Sequence, residues 1–111
     1  MNILLCGATG FIGRHLGQSL IQSGHHVVRA ARQVKRPTDI AVDFVRDTHA
    51  TTWLPRLTGI DVVVNAVGVL RDLTTAPMQT IHADTPKALF DACAQVGCKV
   101  VHISALGAGG E

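Results

Sequence analysis

The first lysine of this chain is Lys35 and the first acidic residue is Asp39. A nucleoside triphosphate loop needs a Gly-Lys-Ser/Thr ending to reach the terminal phosphates and magnesium, so kinase and GTPase chemistry is excluded for the amino-terminal third. Cysteine is scarce: Cys6, Cys93 and Cys98 are odd in number and none forms a C-x-x-C pair, which speaks against a disulfide framework or a zinc centre. Idle thiols in a reducing cytoplasm are the expected state, and a cytoplasmic location the corresponding expectation. No apolar run approaches the roughly 20 residues of a membrane helix, and no basic segment followed by an apolar run opens the chain. Charged residues make up only 16% of the 111, with a formal net charge of +2. The one basic cluster is Arg29, Arg32, Lys35 and Arg36, too small a footprint to argue for nucleic acid. A strained Gly-x-Ser-x-Gly elbow is absent, which disfavours a hydrolase. The histidines 15, 25, 26, 49, 82 and 102 fall on separate elements without ligand spacing, so no metal site is expected.

What is present is a 47% hydrophobic chain in which strand-like and helix-like patterns alternate. Met1 to Cys6 and Val27 to Ala31 read as strands, and Ile12, Leu16 and Leu20 between them repeat at helical spacing. That is one parallel strand-helix-strand crossover of about thirty residues. Ile40 to Val45 reads as a third strand and Thr48 to Leu57 as a short helix with Trp53, Leu54 and Leu57 inward. Asp61 to Val67 is a β-branched run of the kind covered on both faces in a parallel sheet. Ala76 to Val96 is helical, with Leu89, Cys93 and Val96 on one stripe and Pro86 expected to kink or divide it. Lys99 to Ser104 supplies a fifth strand. Right-handed crossovers then give an α/β doubly wound parallel sheet in the order 3-2-1-4-5, with a crevice beyond the carboxyl ends of strands 1 and 4.

Gly7-Ala8-Thr9-Gly10-Phe11-Ile12-Gly13 stands at that crevice, directly after strand 1 and directly before a helix. Three glycines at three-residue spacing let the chain turn out of a strand, bring bare backbone against a phosphate, and pack a helix closely on the sheet. The helix start adds unpaired N–H groups and a positive dipole end. A dinucleotide pyrophosphate is therefore expected here, against the alternative of a tight turn that binds nothing. At the end of strand 2 a carboxylate would accept both ribose hydroxyls and repel a 2′-phosphate. No acid stands there; Arg32, backed by Lys35 or Arg36, suits a phosphate instead. NADP is the expected cofactor, with NAD the alternative. Asp43 after strand 3 is placed either to bond an adenine amino group or to cap the next turn. Asn65-Ala66-Val67-Gly68 closes strand 4 with small residues that admit the ribose and nicotinamide.

Together with His102-Ile103-Ser104-Ala105, these motifs resemble the short-chain dehydrogenase/reductase superfamily. The extended and atypical branches are closest in pattern: nucleotide-sugar epimerases and dehydratases, NmrA-like proteins, and relatives of the accessory NAD(P)H-binding subunit of respiratory complex I. The resemblance implies a Rossmann fold, a pyrophosphate loop of Gly7, Gly10 and Gly13 flanked by Thr9, Phe11 and Ile12, and an adenine edge at Asp43 and Phe44. It also implies a wall beside the ribose at Ala66, Val67 and Gly68, and a catalytic hydroxyl at Ser104. Active members add a Tyr-x-x-x-Lys pair, whereas this chain contains no tyrosine and stops seven residues after Ser104. Residues 1–111 accordingly read as the NAD(P)-binding domain of a longer protein, truncated after strand 5, in which hydride passes to or from a small-molecule substrate. A naturally short module would protect its strand 5 edge through a partner or by self-association. A non-catalytic dinucleotide sensor or assembly subunit is the other functional reading.

Overall fold

The computed structural model describes residues 1–8, 10–66 and 83–103. Five parallel strands form one sheet: β1 (Asn2–Cys6), β2 (His26–Ala31), β3 (Ile40–Ala41), β4 (Val62–Asn65) and β5 (Lys99–His102), in the order 3-2-1-4-5. The expected topology is the observed one. β1 is the middle strand, with Leu4 opposite Val28 on one side and Val63 on the other.

Alternation along β1 divides the interior into two cores. Leu4 and Cys6 face a large cluster with Trp53, Leu57, Leu89 and Cys93, whereas Ile3 and Leu5 face a smaller one with Leu16 and Leu20. The smaller cluster lies under α1 (Phe11–Gln22), whose buried residues are Gly13 and Gly17. The expected Ile12, Leu16 and Leu20 stripe is only half-buried, because the glycines bring the helix backbone itself to the sheet. A Cβ on Gly17 would stand 3.3 Å from Leu5 Cδ2.

Two expectations are corrected. The third strand stops after Ala41 rather than Val45, because Asp43 and Asp47 turn the chain: the N–H groups of Arg46 and Asp47 both donate to the Asp43 carbonyl, at 3.1 and 2.8 Å. The helix expected over 48–57 is two pieces, α2 (Ala50–Trp53) and a 3₁₀ turn over Leu54–Leu57. Pro55, at the start of that turn, lacks the N–H an α-helix would need there. Pro86 sits in the first turn of α3 (Thr85–Val96), and Asp84 before it already has helical φ and ψ. Residues 76–82 of the expected longer helix lie outside the described residues. α3 closes on left-handed Gly97, as expected. β4 and β5 end at Asn65 and His102, with Val67 and Ser104 outside the described residues.

Candidate functional site

At the carboxyl end of β1 the chain reverses at Gly7, whose φ of 81° is a region L side chains rarely adopt. Gly10 N–H donates back to the Gly7 carbonyl at 3.1 Å, and Arg14 N–H donates to the Gly10 carbonyl at 2.9 Å as α1 begins. A Cβ on Gly13 would collide with the Gly7 carbonyl oxygen and lie 2.7 Å from the Gly7 carbonyl carbon. Glycine at 13 is thus what lets α1 start hard against the turn. Gly10 is the N-cap residue; no side chain caps the helix and no acid occupies its first turn. The opening N–H groups have no intrahelical acceptors, so the structure has the donor set and the sign of potential for an anion, as a pyrophosphate requires. Beneath the loop, burial pushes the Cys6 thiol up to about 12, with nearby Cys93 adding to the shift; the floor therefore carries no opposing negative charge. Phe11 is 56% exposed at the rim and its ring meets that of His15 at a tilt, with centroids 4.6 Å apart. His15 Nδ1 lies 2.8 Å from the Phe11 carbonyl, so Nδ1 is the donor nitrogen. Ile12 is half-buried on the first turn, and Thr9 lies outside the described residues.

At the end of β2, Ala31, Arg32, Gln33 and Lys35 line a surface pocket of about 350 Å³. Arg32 is exposed, and no carboxylate is among the lining residues. Gln33 was not singled out in the sequence, where no pattern distinguishes it from a loop glutamine.

The β3 end differs from expectation in its side chains. Asp43 Oδ1 accepts the Val45 N–H at 2.9 Å, an Asx turn, while Oδ2 stands 3.9 Å from exposed Arg46 Nε. Capping is thus the observed role of one carboxylate oxygen. The Phe44 ring is buried edge-on to Trp53, with centroids 5.6 Å apart, and its carbonyl accepts the Thr85 hydroxyl at 2.5 Å.

Across the crevice, Ala66 is buried and its N–H donates to the Cys6 carbonyl at 2.9 Å, which holds the β4 end against the glycine turn. Asn65 is fully buried, and its Nδ2 donates to His102 Nδ1 at 3.2 Å. His102 in turn meets the Phe90 ring edge-on at 5.5 Å. The Asn65 side chain therefore ties β4 to β5. This cross-strand link was not visible in the sequence, because residues 37 positions apart are brought opposite only by strand register. Val67, Gly68 and Ser104 lie outside the described residues. Among the described residues no group of three or more His, Cys, Asp or Glu side chains is arranged to hold a metal ion, and no helix is long and apolar enough to cross a membrane.

A glycine turn feeding an uncapped helix at the sheet's point of strand reversal defines a doubly wound nucleotide-binding domain. The chain belongs to the NAD dependent epimerase/dehydratase family, whose model matches residues 3–111. With the family comes the coarse cofactor class, a nicotinamide dinucleotide. The chain is 30% identical over 111 residues to Ceramide reductase of Caulobacter vibrioides, covering 96% of this chain and 35% of that protein. It is 37% identical over 71 residues to Epimerase family protein YfhF of Bacillus subtilis, covering 61% of this chain and 23% of that one. It thus spans about a third or less of these relatives. Among solved structures, UDP-N-acetylglucosamine 4-epimerase from Bacillus cereus superposes with a TM-score of 0.67 at 21% identity, over 92% of this chain and 38% of that one, a likeness of fold. MoeE5, solved with UDP-glucuronic acid and NAD, superposes with a TM-score of 0.67 at 28% identity, over 92% of this chain and 36% of that one.

Proposed function

We propose that this chain is the NADP(H)-binding portion of a short-chain-type reductase or epimerase. The observation that carries the reading is the basic, acid-free pocket of Ala31, Arg32, Gln33 and Lys35 at the end of the strand next to the glycine turn. Gly7, Gly10 and Gly13 bring backbone to the pyrophosphate, and the first turn of α1 supplies N–H donors. Arg32, with Lys35 beside it, takes the 2′-phosphate through charge-assisted bonds. The end of β4 at Asn65 and Ala66, continuing into Val67 and Gly68, walls the ribose, and Asp43 with the Phe44 backbone edges the adenine. The bound nicotinamide supplies or accepts a hydride. Ser104, two residues after β5, is assigned to hydrogen-bond an oxygen of a small-molecule substrate. The names of the relatives, a reductase and an epimerase family protein, support redox chemistry at a carbon bearing oxygen in the whole protein.

Titration with NADPH and NADH, followed by calorimetry and by Trp53 fluorescence, tests the reading. NADPH is expected to bind more tightly, and Gly10→Asp, which puts bulk and negative charge where pyrophosphate must sit, is expected to abolish binding with the fold retained. Equal affinity for the two nucleotides would remove the NADP assignment, and unchanged NADPH affinity in Gly10→Asp would remove the glycine loop from the site.

A further inference from the structure

The loop that carries the basic pocket is held from inside by a buried carboxylate. Asp39 has a side chain only 2% exposed. Its Oδ2 accepts the backbone N–H groups of Lys35 at 3.2 Å and Arg36 at 3.1 Å. Its own N–H donates to the Arg36 carbonyl at 3.0 Å, so the carboxylate and the main chain close the same five-residue loop. Oδ1 faces Arg29 Nε across 3.8 Å, and neither of these two buried atoms has a hydrogen-bond partner. A buried carboxylate is costly unless it is paired and hydrogen-bonded. Here it meets two main-chain donors and one guanidinium, which fixes the loop backbone relative to β2. Alternation along β2 puts Arg29 on the same face as Ala31, one of the residues lining the pocket.

We infer that Asp39 is a positioning residue for dinucleotide selectivity: through the Lys35 and Arg36 amides and Arg29 it holds the β2–β3 loop in the shape that presents Arg32 and Lys35 to a 2′-phosphate. This rests on the NADP reading above and adds to it the group that orders the phosphate-binding cations. The charge of Asp39 does not compete with the phosphate, because it is directed inward onto the backbone and Arg29. A loop ordered beforehand does not have to lose that freedom when the ligand arrives, so its release weakens the ligand that uses the loop and spares the one that does not.

The test compares NADPH and NADH dissociation constants, with melting temperatures, for the intact protein and its Asp39→Ala, Asp39→Asn and Arg32→Ala variants. Asp39→Ala is expected to weaken NADPH about tenfold and NADH by less than about twofold, since an ordering cost of this size falls only on the phosphate-dependent ligand. Asp39→Asn keeps an acceptor oxygen for the two amides but loses the attraction to Arg29; a change of about threefold in the NADPH to NADH ratio is expected, and this variant decides the matter if the alanine protein does not fold. A lower melting temperature with the ratio unchanged in both Asp39 variants, while Arg32→Ala lowers the ratio, would overturn the inference and leave the NADP reading standing. A wild-type protein without NADPH preference, unaffected by Arg32→Ala, would overturn both.

Discussion

On one face of the sheet, Leu4, Cys6, Phe44, Trp53, Val63, Leu89 and Cys93 interlock in a deep core; on the other, Ile3, Leu5, Ala8 and Val64 are covered by α1. The first face achieves burial by volume, through a wholly buried Trp53 whose Nε1 donates to the Asp47 carbonyl at 2.8 Å. Arg56 lies 4.6 Å from the Trp53 ring centroid and 2.9 Å from Asp47. The second achieves it by proximity, with Gly13 and Gly17 in place of side chains. A core of large side chains resists unfolding and tolerates small backbone shifts; a glycine contact gives less burial but sets where a helix begins to within a few tenths of an ångström. The candidate site is built at the end of the second kind of contact.

If the faces divide the work in this way, damage to each should read out differently. The largest expected effect is on the deep face: Trp53→Ala should cost about 3–5 kcal/mol of stability, measured by urea unfolding, with weakened dinucleotide binding only in proportion to the unfolded fraction. Gly13→Ala should cost about 1–3 kcal/mol from overpacking and yet abolish binding in the molecules that remain folded; calorimetry on the folded fraction checks it, and retained binding would erase the contrast between the faces. Arg32→Asp should leave stability unchanged and shift preference from NADPH towards NADH, the lost charge-assisted pair contributing about 1.5–3 kcal/mol. The smallest effect is on pH dependence. Burial raises Cys6 and Cys93 from 9.0 to about 12, so both thiols favour the folded state fully below pH 9, and that contribution is lost as pH rises from 9 towards 12. Thermal unfolding across that window should show a decline that is shallower in Cys6→Ala.

Strand order, the glycine turn and the basic loop end were legible because each depends on local pattern: β-branched runs, glycine spacing, and the identity of the residues just after β2. The roles of individual polar groups were not. Asp43 offered two readings from sequence, and Val45 N–H at 2.9 Å shows that the local one engages it. The Phe44 ring packs edge-on to Trp53, a residue nine positions on whose neighbourhood only packing determines. Asp39 stood in the sequence as the first acid of the chain, but its inward direction depends on a loop that folds back over it.

The central position of β1 bears on how the chain comes together in time. Its partners are β2, with Met1 and His25 in contact 24 residues apart, and β4, with Asn2 and Asp61 in contact 59 residues apart. A chain emerging from synthesis can therefore close the first crossover early, while the β4 side of β1 stays unpaired until more than sixty residues are available. Pairing between distant segments is intrinsically slow, and an unpaired strand flank is adhesive while it waits. The glycine turn thus acquires its second wall, the Ala66 amide on the Cys6 carbonyl, only once the β4 segment has been made.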